Sequence, residues 1–158
     1  MPEVLHLDIQ LPPVLSLRLL KPPAVLPAEM ANVIVGRPGP DGGATTVMVG
    51  AAPISGHTAV AMDADGLLIY ADCTNPAHIG AVQGVIANAY GAGDLAVVQT
   101  DFDLAHAGWT FATGPVFVGA TGALVQTLPM GAVFAQVVGY ALAPARIRID
   151  VQPPIVLT

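Results

Sequence analysis

Apolar and polar residues alternate along the first part of the chain. From Val4 to Leu11 every second residue is leucine or isoleucine, and His6, Asp8 and Gln10 occupy the positions between them. The alternation resumes after Pro12-Pro13 and ends at the prolines that follow Lys21. A period of two predicts half-buried strands. The apolar face contains Leu5, Leu7, Ile9, Leu11, Leu15, Leu17 and Leu19.

Paired prolines interrupt these strands. Because proline has no N–H donor, they do not fit the middle of a sheet or a tight hairpin. We therefore predict that residues 1–35 form an extended attachment arm that adds to the sheet edge of a neighbouring chain. The alternative is an ordinary edge strand of the same domain.

Glycine then recurs at every third position, at Gly36, Gly39 and Gly42, with proline beside it. This spacing is typical of collagen, where only glycine fits at the triple-helix axis. Two triplets are too few for a stable triple helix, so the alternative is a Pro/Gly linker. Either interpretation makes residues 36–44 the boundary between the arm and the domain.

Short β-branched and aromatic segments, separated by glycine and proline, continue to the end of the chain. They predict an all-β domain over residues 45–158, a compact antiparallel β-sandwich or barrel. Asp63-Ala64-Asp65-Gly66 predicts a hairpin turn, because Asp-Gly accepts the positive φ of tight turns. The predicted strands are 45–49, 57–62, 67–70, 81–87, 95–100, 109–111, 116–118, 124–125, 133–138, 146–150 and 155–157.

The stretch 108–141 holds most of the large aromatic residues of the chain, and its pattern predicts a β meander. Trp109 and Phe111 would lie on one side of an extended segment. We interpret them as core residues, with a subunit interface as the alternative. The residues predicted for core or trimer packing are Trp109, Phe111, Phe117 and Phe134.

A faint internal similarity links two parts of this domain. The stretch with Val60, Gly66 and Gly84 resembles the stretch with Val118, Gly122 and Gly139. This similarity favours two related β units packed into one core.

Composition adds a prediction about assembly. Only 10% of the residues are charged and 54% are hydrophobic, so we expect apolar surface to be buried between copies in a homotrimer. The net charge of −6, with no basic cluster, argues against nucleic acid as a partner. No apolar stretch is long enough to span a membrane, and the first residues lack the basic region of a secretory signal. A protein made in the cytoplasm is expected.

A cysteine hydrolase is the first chemical possibility, because a thiolate needs an imidazole base and a carboxylate. Cys73 lies near His57, Asp72 and His78 in sequence, but no strand-turn-helix motif surrounds it. With a single cysteine no intrachain disulfide forms. We interpret Cys73 as a small buried residue and predict no catalytic residue.

Two pairs of aspartates are candidate cation ligands. Asp63 and Asp65 begin like a calcium loop, but its later ligands are missing, which favours the hairpin turn. Asp101 and Asp103 would share one strand face, and we interpret them as a solvated loop edge, with weak cation binding as the alternative. We predict no metal and no cofactor.

Several segments also carry a family resemblance. They include Ser55-Gly56-His57-Thr58, Gly114-Pro115-Val116-Phe117-Val118-Gly119 and the ending Pro153-Pro154-Ile155-Val156-Leu157. Residues 54–158 resemble a C-terminal domain of tailed-bacteriophage virion proteins, of the head-decoration and tail-fibre-like kind. In that group the domain often follows collagen-like Gly-x-y repeats, which residues 36–42 match in vestigial form.

The resemblance implies a structural role without site residues. The expected function is that of a non-enzymatic virion protein that decorates or cements the capsid through its N-terminal arm. The expected partners are further copies in a homotrimer and other virion proteins such as the major capsid protein. The expected location is the virion, after synthesis in the bacterial host cytoplasm. The alternatives are a tail-fibre or receptor-binding adhesin module, and a hydrolase using Cys73.

Overall fold

The computed structural model describes residues 43–158, and within them the chain is built from β-strands. Two short 3₁₀ turns, Pro76–His78 and Ala120–Gly122, occur in this part, and no α-helix does. The predicted all-β class is confirmed for these residues. The attachment arm and the three linker glycines lie outside the described residues. The strands are β1 (Ala44–Met48), β2 (Thr58–Met62), β3 (Leu68–Tyr70), β4 (Val82–Ile86), β5 (Leu95–Gln99), β6 (Asp101–Ala105), β7 (Gly114–Val118), β8 (Leu124–Val125), β9 (Phe134–Ala135), β10 (Val137–Ala143), β11 (Arg146–Asp150) and β12 (Ile155–Val156).

Ten of these strands form two five-stranded antiparallel sheets. The first has the order β1-β5-β4-β2-β3 and the second has the order β6-β11-β10-β7-β8. β9 and β12 form a separate two-stranded sheet. The chain passes from the first sheet to the second between Gln99 and Asp101, so each large sheet is made by one continuous half of the described chain.

The two large sheets have the same topology. If the strands of the second sheet are numbered in chain order, both sheets have the order first, fifth, fourth, second, third. In both, the fourth strand contains an extra residue opposite the second strand. We call residues 44–99 the first repeat and residues 101–150 the second repeat. The predicted pair of related β units is confirmed at the level of topology.

Two pairs of equivalent glycines mark the same places in both repeats. Gly66 and Gly122 each have φ +77°, which suits the turn between the second and third strands. Gly84 pairs with Val60, and Gly139 pairs with Val116. Val60 is therefore equivalent to Val116, not to Val118 as the sequence similarity suggested.

The buried residues form two clusters on opposite faces of the first sheet. Because side chains alternate along β2, Val60 lies in one cluster while Ala59 and Ala61 lie in the other. The first-repeat cluster consists of Val47, Val49, Ile54, Val60, Leu68, Ile86, Ala96 and Val98. The shared cluster consists of Ala59, Ala61, Ala71, Cys73, Val82, Val85, Leu104, Val116, Val118, Phe134, Val138, Ala141, Ile147 and Ile149.

Equivalent residues show how the repeats pack. Val60, Ile86 and Val98 of the first-repeat cluster correspond to Val116, Ala141 and Ile147 of the shared cluster. The core face of the second repeat therefore packs on the opposite face of the first repeat, and the two repeats stack face to back.

Three details of the predicted strands are wrong. Residues 109–111 lie in the loop between β6 and β7, and the strand predicted at 133–138 is divided between β9 and β10. The predicted meander is interrupted, because β9 pairs with β12 instead of joining the second sheet. The interpretation of Asp101 and Asp103 as a loop edge is also wrong, because both lie in β6, whose cross-strand arginines compensate their low strand propensity.

Candidate functional site

The loop between β6 and β7 brings four rings together at the junction of the two repeats. His57 precedes β2 of the first repeat, whereas His106, Trp109 and Phe111 follow β6 of the second. The ring centroids of His57 and His106 are 4.2 Å apart, and that of Trp109 is 5.6 Å from His57 and 5.4 Å from His106. Phe111 extends the group, 5.5 Å from Trp109. We call these four residues the ring cluster.

Backbone hydrogen bonds fix the loop that carries the ring cluster. The Trp109 N–H donates to the His106 carbonyl, and the Phe111 N–H donates to the Pro144 carbonyl. The side-chain amide of Gln126 accepts from the Ala112 N–H at 2.8 Å and donates to the Ala112 carbonyl at 2.6 Å. The rings are therefore held on a structured loop, although Trp109 and Phe111 are only partly buried.

His57 is held in an uncommon backbone conformation. Its φ is +61°, in the left-handed region, and its N–H donates to the Ile86 carbonyl at 2.7 Å. Burial lowers the pKa of His57, and the neighbouring His106 lowers it further by charge repulsion. The neutral imidazole of His57 is therefore favoured, and the ring cluster offers flat surfaces with polar ring nitrogens.

Cys73 lies in the shared cluster and is fully buried. Burial raises the pKa of the Cys73 thiol, and the Asp72 carboxylate raises it further, so the thiol form is favoured over the thiolate nucleophile. The nearby imidazole of His78 is engaged elsewhere, because its Nδ1 accepts the Asp72 N–H at 2.9 Å. Asp72 accepts both the N–H and the hydroxyl of Thr74. These groups organise the turn at Pro76–His78.

Asp63 and Asp65 form the predicted hairpin turn between β2 and β3. The Oδ1 atom of Asp63 accepts the N–H groups of Asp65 and Leu67, both at 2.9 Å. The Gly66 N–H closes the turn on the Asp63 carbonyl. One carboxylate oxygen therefore holds the backbone, and over residues 43–158 no group of three or more potential metal ligands is formed.

Asp101 and Asp103 pair with two arginines across the strands β6 and β11. Arg146 bonds Asp103, Arg148 bonds Asp101, and Arg148 also contacts Asp103 at 3.2 Å. Side-chain hydrogen bonds lower the pKa of Asp103, and the bond from Arg146 has a larger effect than the bond from Arg148. We call these four residues the ion ladder. It crosses the face of the second sheet that is opposite the shared cluster.

The same face has an apolar half. Val116 and Val118 point into the shared cluster, so Pro115 and Phe117 lie on the other side of β7. Tyr140 pairs with Pro115 and is 43% exposed, and Leu142, two residues along β10, is 53% exposed. We define the outer face as the ion ladder together with Pro115, Phe117, Val125, Val137, Tyr140 and Leu142.

The predicted packing residues lie in three environments. Phe134 is fully buried in the shared cluster, and Trp109 and Phe111 pack against that cluster from the loop. Phe117 is partly buried on the outer face. The arm residues Leu5 to Leu19 and the linker glycines lie outside the described residues.

Comparison with known proteins gives no family assignment. No protein-family model matches the chain, and no curated protein matches it. Among the residues that the structure describes, no helix is long and apolar enough to cross a membrane.

Proposed function

We propose that this chain is a non-enzymatic structural protein of a bacteriophage virion, which decorates or cements the capsid through its N-terminal arm. The resemblance of residues 54–158 to virion proteins is the reason for proposing a virion as the assembly to which the chain belongs. Its partners would be further copies of the chain in a homotrimer and the major capsid protein, and its location would be the virion. Residues of both large sheets pack in the shared cluster, which supports a β-sandwich, one of the two architectures predicted for this domain.

The observation that carries this proposal is the apolar character of the described surface. Met130 is fully exposed, and Ile155, Val156 and Leu157 near the C-terminus are 67%, 57% and 41% exposed. In a chain with only 10% charged residues, such a surface is typical of a protein that binds other proteins. The buried Cys73 thiol and the engaged His78 ring favour this role over the hydrolase alternative.

The arm provides the test of attachment. Deleting residues 1–27 should abolish incorporation into virions, while the circular dichroism spectrum of the β domain stays unchanged. Leu7→Glu with Leu11→Glu should have the same effect, because both residues belong to the apolar face that the sequence predicts for the arm. Asp8→Glu with Gln10→Glu on the opposite face is the matched control. Normal occupancy of virions by the Leu7/Leu11 variant would contradict the proposal.

The ring cluster favours an adhesin as the second candidate function. Flat aromatic rings with polar nitrogens nearby are suited to stacking on sugars and hydrogen-bonding them. Trp109 is the only tryptophan, so its fluorescence reports directly on this cluster. A saturable change in that fluorescence with host-surface glycans, lost in Phe111→Ala, would favour the adhesin.

A further inference from the structure

We propose that the outer face of the second sheet is the surface through which copies of this chain associate. This inference rests on the homo-oligomer in the proposed function and names its interface. The apolar half of the face lies on β7, β8 and β10, and the ion ladder lies on β6 and β11.

The first repeat shows what covers the equivalent face. Ala59, Ala61 and Val85 lie on the face of the first sheet that the second repeat covers, and all three are fully buried. Through the strand equivalence, Pro115, Phe117 and Tyr140 occupy the same three positions in the second repeat. The outer face of the second repeat therefore corresponds to the face of the first repeat that the second repeat covers. Within residues 43–158 nothing covers the outer face.

The distribution of charged and apolar side chains on the outer face also matches what stacking covers and leaves open in the first repeat. On β5 of the first sheet, the second repeat leaves Val97 38% exposed and Gln99 partly exposed. The register against the fourth strand makes Arg146 and Arg148 of the ion ladder their equivalents on β11. Charge thus occurs at positions that stacking leaves at least partly open. Aromatic and other large apolar side chains occur at the positions that stacking covers, and tyrosine and phenylalanine are enriched in protein interfaces.

Charge identifies a second copy as the occupant. Arg146 and Arg148 are the only lysine or arginine residues within 43–158, and the ladder balances them with Asp101 and Asp103. An acidic partner would meet those aspartates, and a basic partner would meet the arginines. A second copy brings both signs, so arginines of one chain can bond aspartates of the other around the apolar half.

Sedimentation of the full chain at micromolar concentration tests the interface. We expect Tyr140→Glu and Leu142→Glu each to raise the dissociation constant of the oligomer at least about ten-fold, because each places a charge against apolar surface. Leu95→Glu is the matched control. Leu95 is an exposed strand residue of the first sheet, so the Leu95→Glu variant should sediment like the unchanged chain.

Hydrogen exchange on the unchanged chain gives a second measurement that needs no variant. Deuterium uptake in residues 137–143 should fall as the protein concentration rises, whereas uptake in residues 95–99 should not change. The proposal is overturned if Tyr140→Glu assembles normally, if Leu95→Glu disrupts assembly equally, or if uptake in residues 137–143 is independent of concentration. Capture of another virion protein on this face without self-association would also overturn it. None of these results depends on the arm variants, which test virion attachment separately.

Discussion

Several polar side chains in this domain stabilise backbone turns. Asp63 accepts two backbone N–H groups in the β2–β3 hairpin, and Asn75 caps the 3₁₀ turn by accepting the Ala77 N–H. Such local bonds are the usual reason for Asp and Asn at turns. They were predictable from sequence, because the residues involved lie within a few positions of one another.

Phe134 and Trp109 should differ in their contributions to stability. Phe134 is fully buried, so Phe134→Ala should lower the free energy of unfolding by about 3–5 kcal/mol through the cavity it leaves. Trp109 is only partly buried, so Trp109→Ala should cost clearly less. Urea denaturation of both variants measures the difference. A larger loss for Trp109→Ala would show that the ring cluster is the tighter part of the core.

His57 should make the fold weaker in acid. Because the folded-state pKa of His57 lies below its ordinary value near 6.5, the unfolded chain takes up the proton first as the pH falls. The melting temperature should therefore decrease between about pH 7 and pH 5. His57→Asn should flatten this decrease, since asparagine also accepts a positive φ but does not titrate in this range. An unchanged slope in the variant would assign the acid sensitivity to other groups.

The ring cluster could not be predicted from local sequence. Trp109 and Phe111 were predicted to share one side of an extended segment; their rings do lie 5.5 Å apart, but on a loop instead of a strand. His57 meets His106 only because the repeats stack, and no spacing rule reports that contact. The ion ladder left a clearer signal, since Asp101/Asp103 and Arg146/Arg148 both alternate in sequence, but the pairing of β6 with β11 was unknown.

At the scale of elements, the equivalent bulges in β4 and β10 depend on glycine. A Cβ atom at Gly84 would lie 2.3 Å from the Gln99 carbonyl oxygen, and one at Gly139 would lie 2.3 Å from that of Arg148. In each repeat the glycine lets the fourth strand approach the fifth closely.

Alanine at either glycine should therefore be strongly destabilising. Gly84→Ala and Gly139→Ala should each lower the free energy of unfolding by about 3 kcal/mol or more, because the clash is with the backbone of a paired strand. Gly50→Ala is the matched control, since its nearest neighbour would lie at 3.4 Å, an ordinary contact. Thermal denaturation measures all three. Near-normal melting of Gly139→Ala would mean that the bulge can move without cost.

Strand prediction succeeded where β-branched residues and turn signals coincide. The predicted strand at 146–150 agrees with β11, and the Asp-Gly turn between β2 and β3 is confirmed. β6 was missed because two of its five residues are aspartates, which disfavour strands until Arg146 and Arg148 lie opposite them. Partner choice, as for β9 with β12, is a long-range property that local pattern does not contain.

At the scale of the whole molecule, the repeats are alike in topology but unequal in the cores they form. The first-repeat cluster draws all its buried residues from residues 47–98. The core face of the second repeat has no cluster of its own and is buried against the first. The faint sequence similarity indicated the duplication, whereas the face-to-back stacking follows from which residues share a cluster.

This inequality predicts an order of opening in the folded protein. If the second repeat detaches, the first repeat keeps its own cluster and loses the cover of six residues of the shared cluster, none larger than valine: Ala59, Ala61, Ala71, Cys73, Val82 and Val85. The second repeat then exposes larger side chains such as Ile147, Ile149 and Phe134. Because apolar area sets the cost of exposure, the second repeat is the less stable partner once separated.

Native-state hydrogen exchange measures that order directly. Amides of β7, β10 and β11 should exchange through an opening of lower free energy than those of β2, β4 and β5, which should require global unfolding. Phe134→Ala should then speed exchange in the second repeat more than in the first, because Phe134 belongs to the shared cluster and not to the first-repeat cluster. Identical opening free energies in both repeats, shifted equally by the variant, would mean that the two sheets unfold as one cooperative unit and that the first repeat has no independent stability.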